Sequence, residues 1–246
     1  MRRISGQTVR NRLHDAGLTA RMPYRGPVLT SRHRQARLQW AQTHRHWTLR
    51  NNWQHVIFSD ESRFMLSRHD RRRIVYRRVN ERYHPNCVDE APPHGGGGVM
   101  VWGAISHTRR SALVRVEGTL NARRYVDNIL EPHLLPLLAD PGGVFQQDNA
   151  RPHTARLTMD FLDLHNVNTL PWPSMSPDLN PIEHLWDELD RRVRARARTP
   201  TTQNELFEAL QEEWNNIPLQ RVQALTISMP RRCQAVNASR GGHTRY

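Results

Sequence analysis

Three strand-like runs in succession, HVIFSDESRFML (55–66), VMVWGAIS (99–106) and ALVRVEG (112–118), give way to alternating helical and extended segments. That order limits the fold more than any other feature. NARRYVDNILEPHLLPLL (121–138) has helical periodicity with a break near Pro132. GVFQQDNA is a short strand, PHTARLTMDFLDLH a helix and VNTLPWP another strand. NPIEHLWDELDRRVRARAR (180–198) predicts a helix capped by Asn180 with Pro181 in its first turn; Ile182, Leu185, Trp186, Leu189 and Val193 form its apolar stripe. TQNELFEALQEEWNNI (202–217) is a further amphipathic helix, and periodicity fades from Met229 onward, which predicts a mobile tail. RRRIVYRR (71–78) is set aside as a short accessory strand. Hairpin strands followed by β–α–β units imply an α/β protein whose mixed five-stranded sheet has helices on both faces.

The first fifty residues have a different texture. SGQTVRNRLHDAGL predicts a short helix with Ser5 as N-cap and Gly17 as stop signal. RMPYRGPVLT, with two prolines and a glycine, is an extended basic linker. SRHRQARLQWAQTHRHW predicts a second helix with Ala36, Trp40 and Trp47 on its apolar side. The expected organisation is an N-terminal helical segment (1–22), a basic linker and helix (23–50), an α/β domain (51–220) and a basic tail (221–246).

The 36 basic residues outnumber 23 acidic ones for a formal charge of +13, so a polyanion is the first partner to consider. Every one of the basic residues is Arg, whose planar fork suits phosphate. Cys87 and Cys233 form no CxxC pair, so neither a disulfide framework nor a zinc module is expected. MRRISGQTVR lacks the apolar core of a secretory signal, and no run approaches the ~18 apolar residues of a membrane span. A soluble intracellular protein is expected.

Against this basic background three acids stand at the ends of neighbouring elements: Asp60 in the first strand, Asp148 ending the fourth, and Glu183 in the first turn of the helix after the fifth. Each also has a purely structural role open to it. Asp60 suits a turn after a strand, Asp148 a helix cap before Pro152, and Glu183 a capping box with Asn180. Together they would repel one another unless divalent cations neutralised them, and hard oxygen donors select Mg²⁺ or Mn²⁺ over zinc. Two such ions about 3.5–4 Å apart suit phosphodiester chemistry. The residues by themselves support a metal nuclease and nothing finer.

HVIFSDESRF, VMVWGAIS, QQDNARPHTA and LPWPSMSPDLNPIEHLWDELDRRV, in this order, resemble blocks of the Tc/mariner superfamily of DNA transposases, the Tc branch above all. Asp148 and Glu183 are separated by 34 residues, the spacing of that branch's Asp-Asp-Glu triad. The resemblance extends from about Ser5 to Ile217 and implies a ribonuclease H-like catalytic domain of the retroviral integrase superfamily. It implies a cut-and-paste enzyme in which Asp60, Asp148 and Glu183 hold two Mg²⁺ (or Mn²⁺) ions. Phosphodiester hydrolysis at the transposon ends would be followed by attack of the freed 3′-hydroxyl on a TA target. Asn149 and His153 would support the metal site or contact DNA, and Gly95 to Gly98 match the family's glycine-rich clamp loop (91–98).

Residues 5–18 resemble the recognition helix of the family's second helix-turn-helix, with Gln7, Arg10 and Arg12 facing base edges and Arg21 and Arg25 in the linker following the backbone. Relatives carry further helices upstream of this point, so the N-terminal segment is expected to be a remnant and terminal-repeat recognition impaired. Double-stranded DNA is the implied partner, with a homodimer as the implied assembly, the nucleus as location, and no membrane or small-molecule cofactor. The competing readings are a catalytically inactive transposase-derived DNA-binding protein and a nuclease for RNA–DNA hybrids.

Overall fold

The computed structural model describes residues 4–21, 24–26, 28–66, 75–84, 87–89, 97–139 and 142–246. The chain divides into two compact units. The smaller, Met1–Thr30 with Arg68–Gly95, contains helix α1 (Gly6–Asp15) and strands β1 (Thr19–Arg21), β2 (Tyr24–Arg25), β4 (Val75–Arg77) and β5 (Val88–Asp89). Ser5 caps α1 as its position predicts, its hydroxyl accepting the Thr8 N–H at 3.2 Å. The stretch expected to be an extended linker is partly strand. β1 pairs antiparallel with β4, Thr19 opposite Arg77, and β2 pairs parallel with β5. Of the accessory run 71–78, Val75–Arg77 is strand, while 71–74 lie outside the described residues.

The larger unit is Ser31–Ser67 with Gly96–Tyr246. Its sheet has the order β7 (Val114–Val116), β6 (Gly98–Ile105), β3 (Val56–Met65), β8 (Val144–Gln146), β9 (Asn168–Thr169). The first three strands run antiparallel and the last three parallel, the mixed five-stranded sheet that the element order predicts. The long strand β3 is central because its residues alternate between two cores. Val56, Phe58 and Phe64 face α6 (Ile182–Arg194) and α7 (Gln203–Asn216), while Ile57 joins Trp102, Tyr125, Phe145 and Leu162 on the other side. The whole Ile182-to-Val193 stripe is buried. α7 begins with the capping box Thr202–Glu205.

Between β7 and β8 the chain does not break at Pro132. α3 (Ala122–Tyr125) widens into a π-helical stretch, Val126–Leu134, and then tightens to 3₁₀ over Leu135–Ala139. Proline has no N–H to donate, and the changed register carries the helix past it. The helix expected after Asp148 is two, α4 (Arg151–Thr154) and α5 (Arg156–Leu164), separated by an extended Ala155. Of the clamp loop, 91–96 lie outside the described residues, so Gly95 and Gly96 are not described. Gly98 opens β6, where a Cβ would sit 2.7 Å from the Phe64 carbonyl oxygen and no side chain fits.

Three expectations are corrected. α2 (Ser31–Thr43) buries Arg37, Trp40 and Ala41; Ala36 is exposed, and the helix stops before Trp47. α2 also belongs to the larger unit rather than to a linker. The segment from Met229 onward is not a mobile tail, nor 221–246 a mere basic extension: α8 (Leu219–Ile227) and α9 (Met229–Ala238) bury Val222, Leu225, Met229, Cys233 and Val236. Those apolar positions recur every three or four residues, a helical stripe interrupted by polar neighbours.

Candidate active site

Strands β3 and β8 run parallel with Phe58 opposite Gln146 as their last registered pair, so Asp60 and Asp148 each stand two residues further along. Between those positions Ser59 Oγ donates to the Gln146 carbonyl at 2.8 Å, closing the pairing just before the two acids. The third acid arrives on α6. Asn180 Oδ1 accepts the Ile182 N–H at 3.2 Å, while its Nδ2 donates to the Ser59 carbonyl at 3.0 Å. The start of α6 is thereby fastened to the residue preceding Asp60. Pro181 rather than Asn180 is the N-cap of α6, the capping box open to Glu183 is not formed, and the Glu183 carboxylate has no hydrogen bond among the described residues. Its carboxylate is left for another use.

The electrostatics show how closely the acids converge. Burial holds the Asp60 carboxyl well above the usual carboxylate range; Glu183, Glu61 and, more weakly, Asp148 push it further, against the Trp186 N–H that favours the anion. Glu183 is raised to about 7 by burial first and then by Asp187 and Asp148, with Arg232 opposing. Asp148 goes the other way. Its burial is outweighed by the His153 ring and the Ala150 N–H, both bonding Oδ1 (2.6 and 2.9 Å), so it stays ionised to lower pH than a free carboxyl.

His153 is the pivot of that difference. Nδ1 meets Asp148, Nε2 stands 3.3 Å from Glu61 Oε1 in ion-pair range without hydrogen-bond alignment, and Tyr125 lies against the ring at a centroid distance of 4.4 Å. Burial disfavours the imidazolium, yet the Asp148 bond and the Glu61 carboxylate raise its pKa to about 10. His153 thus holds one oxygen of Asp148. Asn149 turns away from the acids to donate to Trp172 O (2.9 Å) and Ser174 Oγ (3.3 Å). Glu61, Asn180 and Trp186 were not singled out as site residues by sequence reasoning. Glu61 had a signal in its adjacency to Asp60, and the other two lie three residues either side of Glu183.

The DNA-contact candidates lie in the smaller unit. Gln7 Nε2 donates to Asn11 Oδ1 at 2.8 Å, and Arg10 Nη2 donates to Gln7 Oε1 at 3.0 Å, on an exposed helix face that also carries Arg12. Arg21 is exposed and bonds Thr19 Oγ1 at 3.2 Å; the Arg25 side chain lies outside the described residues.

As a donor set for a cation the acids are all hard oxygen. Trp186 takes only Oδ2 of Asp60, and the bonds to Asp148 take only Oδ1, so each keeps an oxygen without a hydrogen bond, as does all of Glu183. Among the described residues no three acid, imidazole or thiol groups stand close enough together to hold a metal ion as the side chains are placed. A divalent cation suits the donor set because it would relieve the repulsion that holds Asp60 and Glu183 toward their neutral forms.

A five-stranded mixed sheet with helices on both faces, Asp60 midway along its central strand and Asp148 just past the end of the strand beside it define a ribonuclease H-like protein. Comparison with known proteins agrees. Residues 55–206 match the model described as "DDE superfamily endonuclease", and residues 2–46 a helix-turn-helix model described as "Transposase". The chain is 41% identical over 244 residues to the transposable element Tcb2 transposase of Caenorhabditis briggsae, covering 98% of this chain and 88% of that protein. It is 41% identical over 246 residues to the Tc1 transposase of Caenorhabditis elegans, with the same coverage. Its fold matches the Mos1 transposase paired-end complex with left transposon end at a TM-score of 0.73 and 21% identity, over 98% of this chain and 72% of that one. The chain belongs to the Tc/mariner superfamily of transposases, DDE-class enzymes that move DNA by cut and paste.

Proposed function

We propose that Asp60, Asp148 and Glu183 are the catalytic acids of this transposase and hold two Mg²⁺ or Mn²⁺ ions while it hydrolyses phosphodiesters at transposon ends. The freed 3′-hydroxyl is then joined to target DNA at a TA dinucleotide. The observation that carries this reading is the double fastening of α6 to β3, which sets Glu183 beside Asp60, its carboxylate without a hydrogen bond among the described residues. Bound divalent ions supply activation of the attacking oxygen and stabilisation of the leaving one. The protein's share is to orient the donors. His153 fixes one oxygen of Asp148, Trp186 one of Asp60, and Asn180 the approach of Glu183.

Terminal inverted repeats of the element are the DNA that α1 is proposed to read, with Gln7, Arg10 and Arg12 at base edges and Arg21 and Arg25 along phosphates. The net charge of +13 supports tight, salt-dependent association. Action on chromosomal DNA makes the nucleus the proposed location, and pairing of two transposon ends makes a homodimer the proposed assembly.

The test is an incubation of purified protein with Mg²⁺ and duplex DNA ending in the element's terminal repeats, beside an Asp148→Ala variant. Cleavage that requires both the divalent ion and Asp148 is expected. Equal cleavage by the variant, or none by either protein, would overturn the assignment and leave a DNA-binding protein without this chemistry.

A further inference from the structure

We propose that Trp186 is a positioning residue whose indole N–H fixes one oxygen of Asp60 and so sets the separation of Asp60 from Glu183 for cation binding. The proposal rests on the reading of those acids as metal ligands.

Three observations carry it. Trp186 follows Glu183 by three residues, so both side chains leave α6 toward the sheet. From there Nε1 donates to Asp60 Oδ2 at 3.0 Å, leaving Oδ1 without a hydrogen bond. Secondly, Asn180 lies three residues before Glu183 and donates to the carbonyl of Ser59, the residue before Asp60. Glu183 is therefore bracketed, one turn to each side, by bonds to two consecutive residues of β3. A single bond would let the helix pivot about it; two bonds to adjacent residues resist that rotation.

Thirdly, the sheet is cut away to admit the indole. Gly103 is the β6 partner of Asp60, and a Cβ there would come within 2.8 Å of Trp186 Cη2. Trp214 stacks on the ring at 5.3 Å and Phe64 meets it edge-on at 6.2 Å. The ring is 4% exposed, so its N–H has little freedom to seek another acceptor. A core tryptophan that merely satisfies its N–H serves as well with a main-chain carbonyl, as Trp214 does with Ser111 O at 2.9 Å. At Trp186 the acceptor is a buried acid, which is expensive to desolvate and has a second oxygen to present.

The experiment removes the N–H and keeps the ring. Benzothienylalanine, with sulfur in place of N–H, is introduced at position 186, with Trp186→Phe and Asp60→Asn made in parallel. Mn²⁺ binding is followed by the electron paramagnetic resonance signal of the free ion, and thermal melting is recorded without metal. Mn²⁺ affinity about 10–100-fold below wild type in the benzothienyl protein is expected. Its melting temperature should stay within about 4 °C of wild type. Wild-type Mn²⁺ affinity in that protein overturns the proposal, as does an affinity that falls only in step with melting temperature across both Trp186 substitutions. Absence of any wild-type Mn²⁺ binding that Asp60→Asn abolishes overturns the metal reading itself, and this proposal with it.

Discussion

Arg37, fully buried on α2, places its guanidinium against both oxygens of Asp178, Nη1 to Oδ1 at 2.6 Å and Nη2 to Oδ2 at 2.7 Å. Its remaining donors reach the carbonyls of Met175, Gly241 and Gly242, so one side chain joins the first helix of the larger unit to the loop before α6 and to the C-terminal segment. Every hydrogen-bonding direction of the fork is used, which is why a basic residue is tolerated at the centre of a helix face. Truncating it strands a buried carboxylate. Arg37→Ala is expected to lower stability by about 3–5 kcal/mol in urea unfolding. Adding Asp178→Asn should recover part of that loss, and a neutral Arg37→Ala would contradict the pairing.

Acid stability should depend on the same pair. Burial alone would raise the Asp178 pKa, but the Arg37 bonds and those from Thr244 hold it below the ordinary value. The unfolded chain therefore takes up this proton first as pH falls. The contribution of Asp178 is present above about pH 4 and is lost as pH drops through the lower folded value. A pH series of urea midpoints should show a shallower acid decline in Asp178→Asn; an identical decline would refute the assignment.

The C-terminal segment should be indispensable. Arg232 on α9 donates to the Asp178 carbonyl (2.6 Å), Nη2 contacts His184 Nδ1 (3.0 Å), and its guanidinium lies 4.9 Å from the Tyr246 ring centroid. Deleting 229–246 removes Met229, Cys233 and Val236 from the core, and loss of even one such side chain costs about 2–5 kcal/mol. Loss of the cooperative thermal transition is expected; an unchanged transition would mean the segment is dispensable.

His153 should remain charged across the physiological range. Its pKa of about 10 lies above the unfolded value, so its contribution to stability is complete below about pH 6.5 and disappears as pH rises through about 10. Nitrogen-15 NMR of the metal-free protein should show no His153 titration between about pH 6.5 and 9. His153→Ala should cut Mg²⁺-dependent cleavage by about 10–100-fold and raise the Mg²⁺ needed. Titration near the free imidazole value would remove the electrostatic support described for Asp148.

DNA affinity should carry the signature of α1. Replacing Arg12 by Ala should make the plot of log affinity against log salt less steep by about one unit if it meets a phosphate. If it meets a base, the loss is confined to the matching terminal repeat and worth about 1–3 kcal/mol. Fluorescence anisotropy with repeat and scrambled duplexes at several salt concentrations separates the two, and equal curves for wild type and variant would exclude both.

Much of the framework was legible in order and spacing. The stripe from Ile182 to Val193 reports which helix face is buried, because its period follows from backbone geometry alone. The C-terminal helices escaped notice because Arg231, Arg232, Gln234 and Asn237 interrupt their apolar stripe and pull the local composition toward that of a tail. Arg37 escaped because charge ordinarily marks a solvated face, and its partner is 141 residues away.

The sequence by itself determined the mixed sheet and the family and singled out three acids as candidates, since each is written in local pattern or in matching blocks. Tertiary structure decided which neighbours those acids have. Only the β3–β8 register aligns Asp60 with Asp148, and only the docking of α6 gives Asp60 the Trp186 N–H while leaving the Glu183 carboxylate without a hydrogen bond among the described residues. The difference between an Asp148 held anionic and an Asp60 and Glu183 driven toward neutrality likewise arises from burial and proximity. Those are properties of distances across the fold, and no pattern along the chain encodes them.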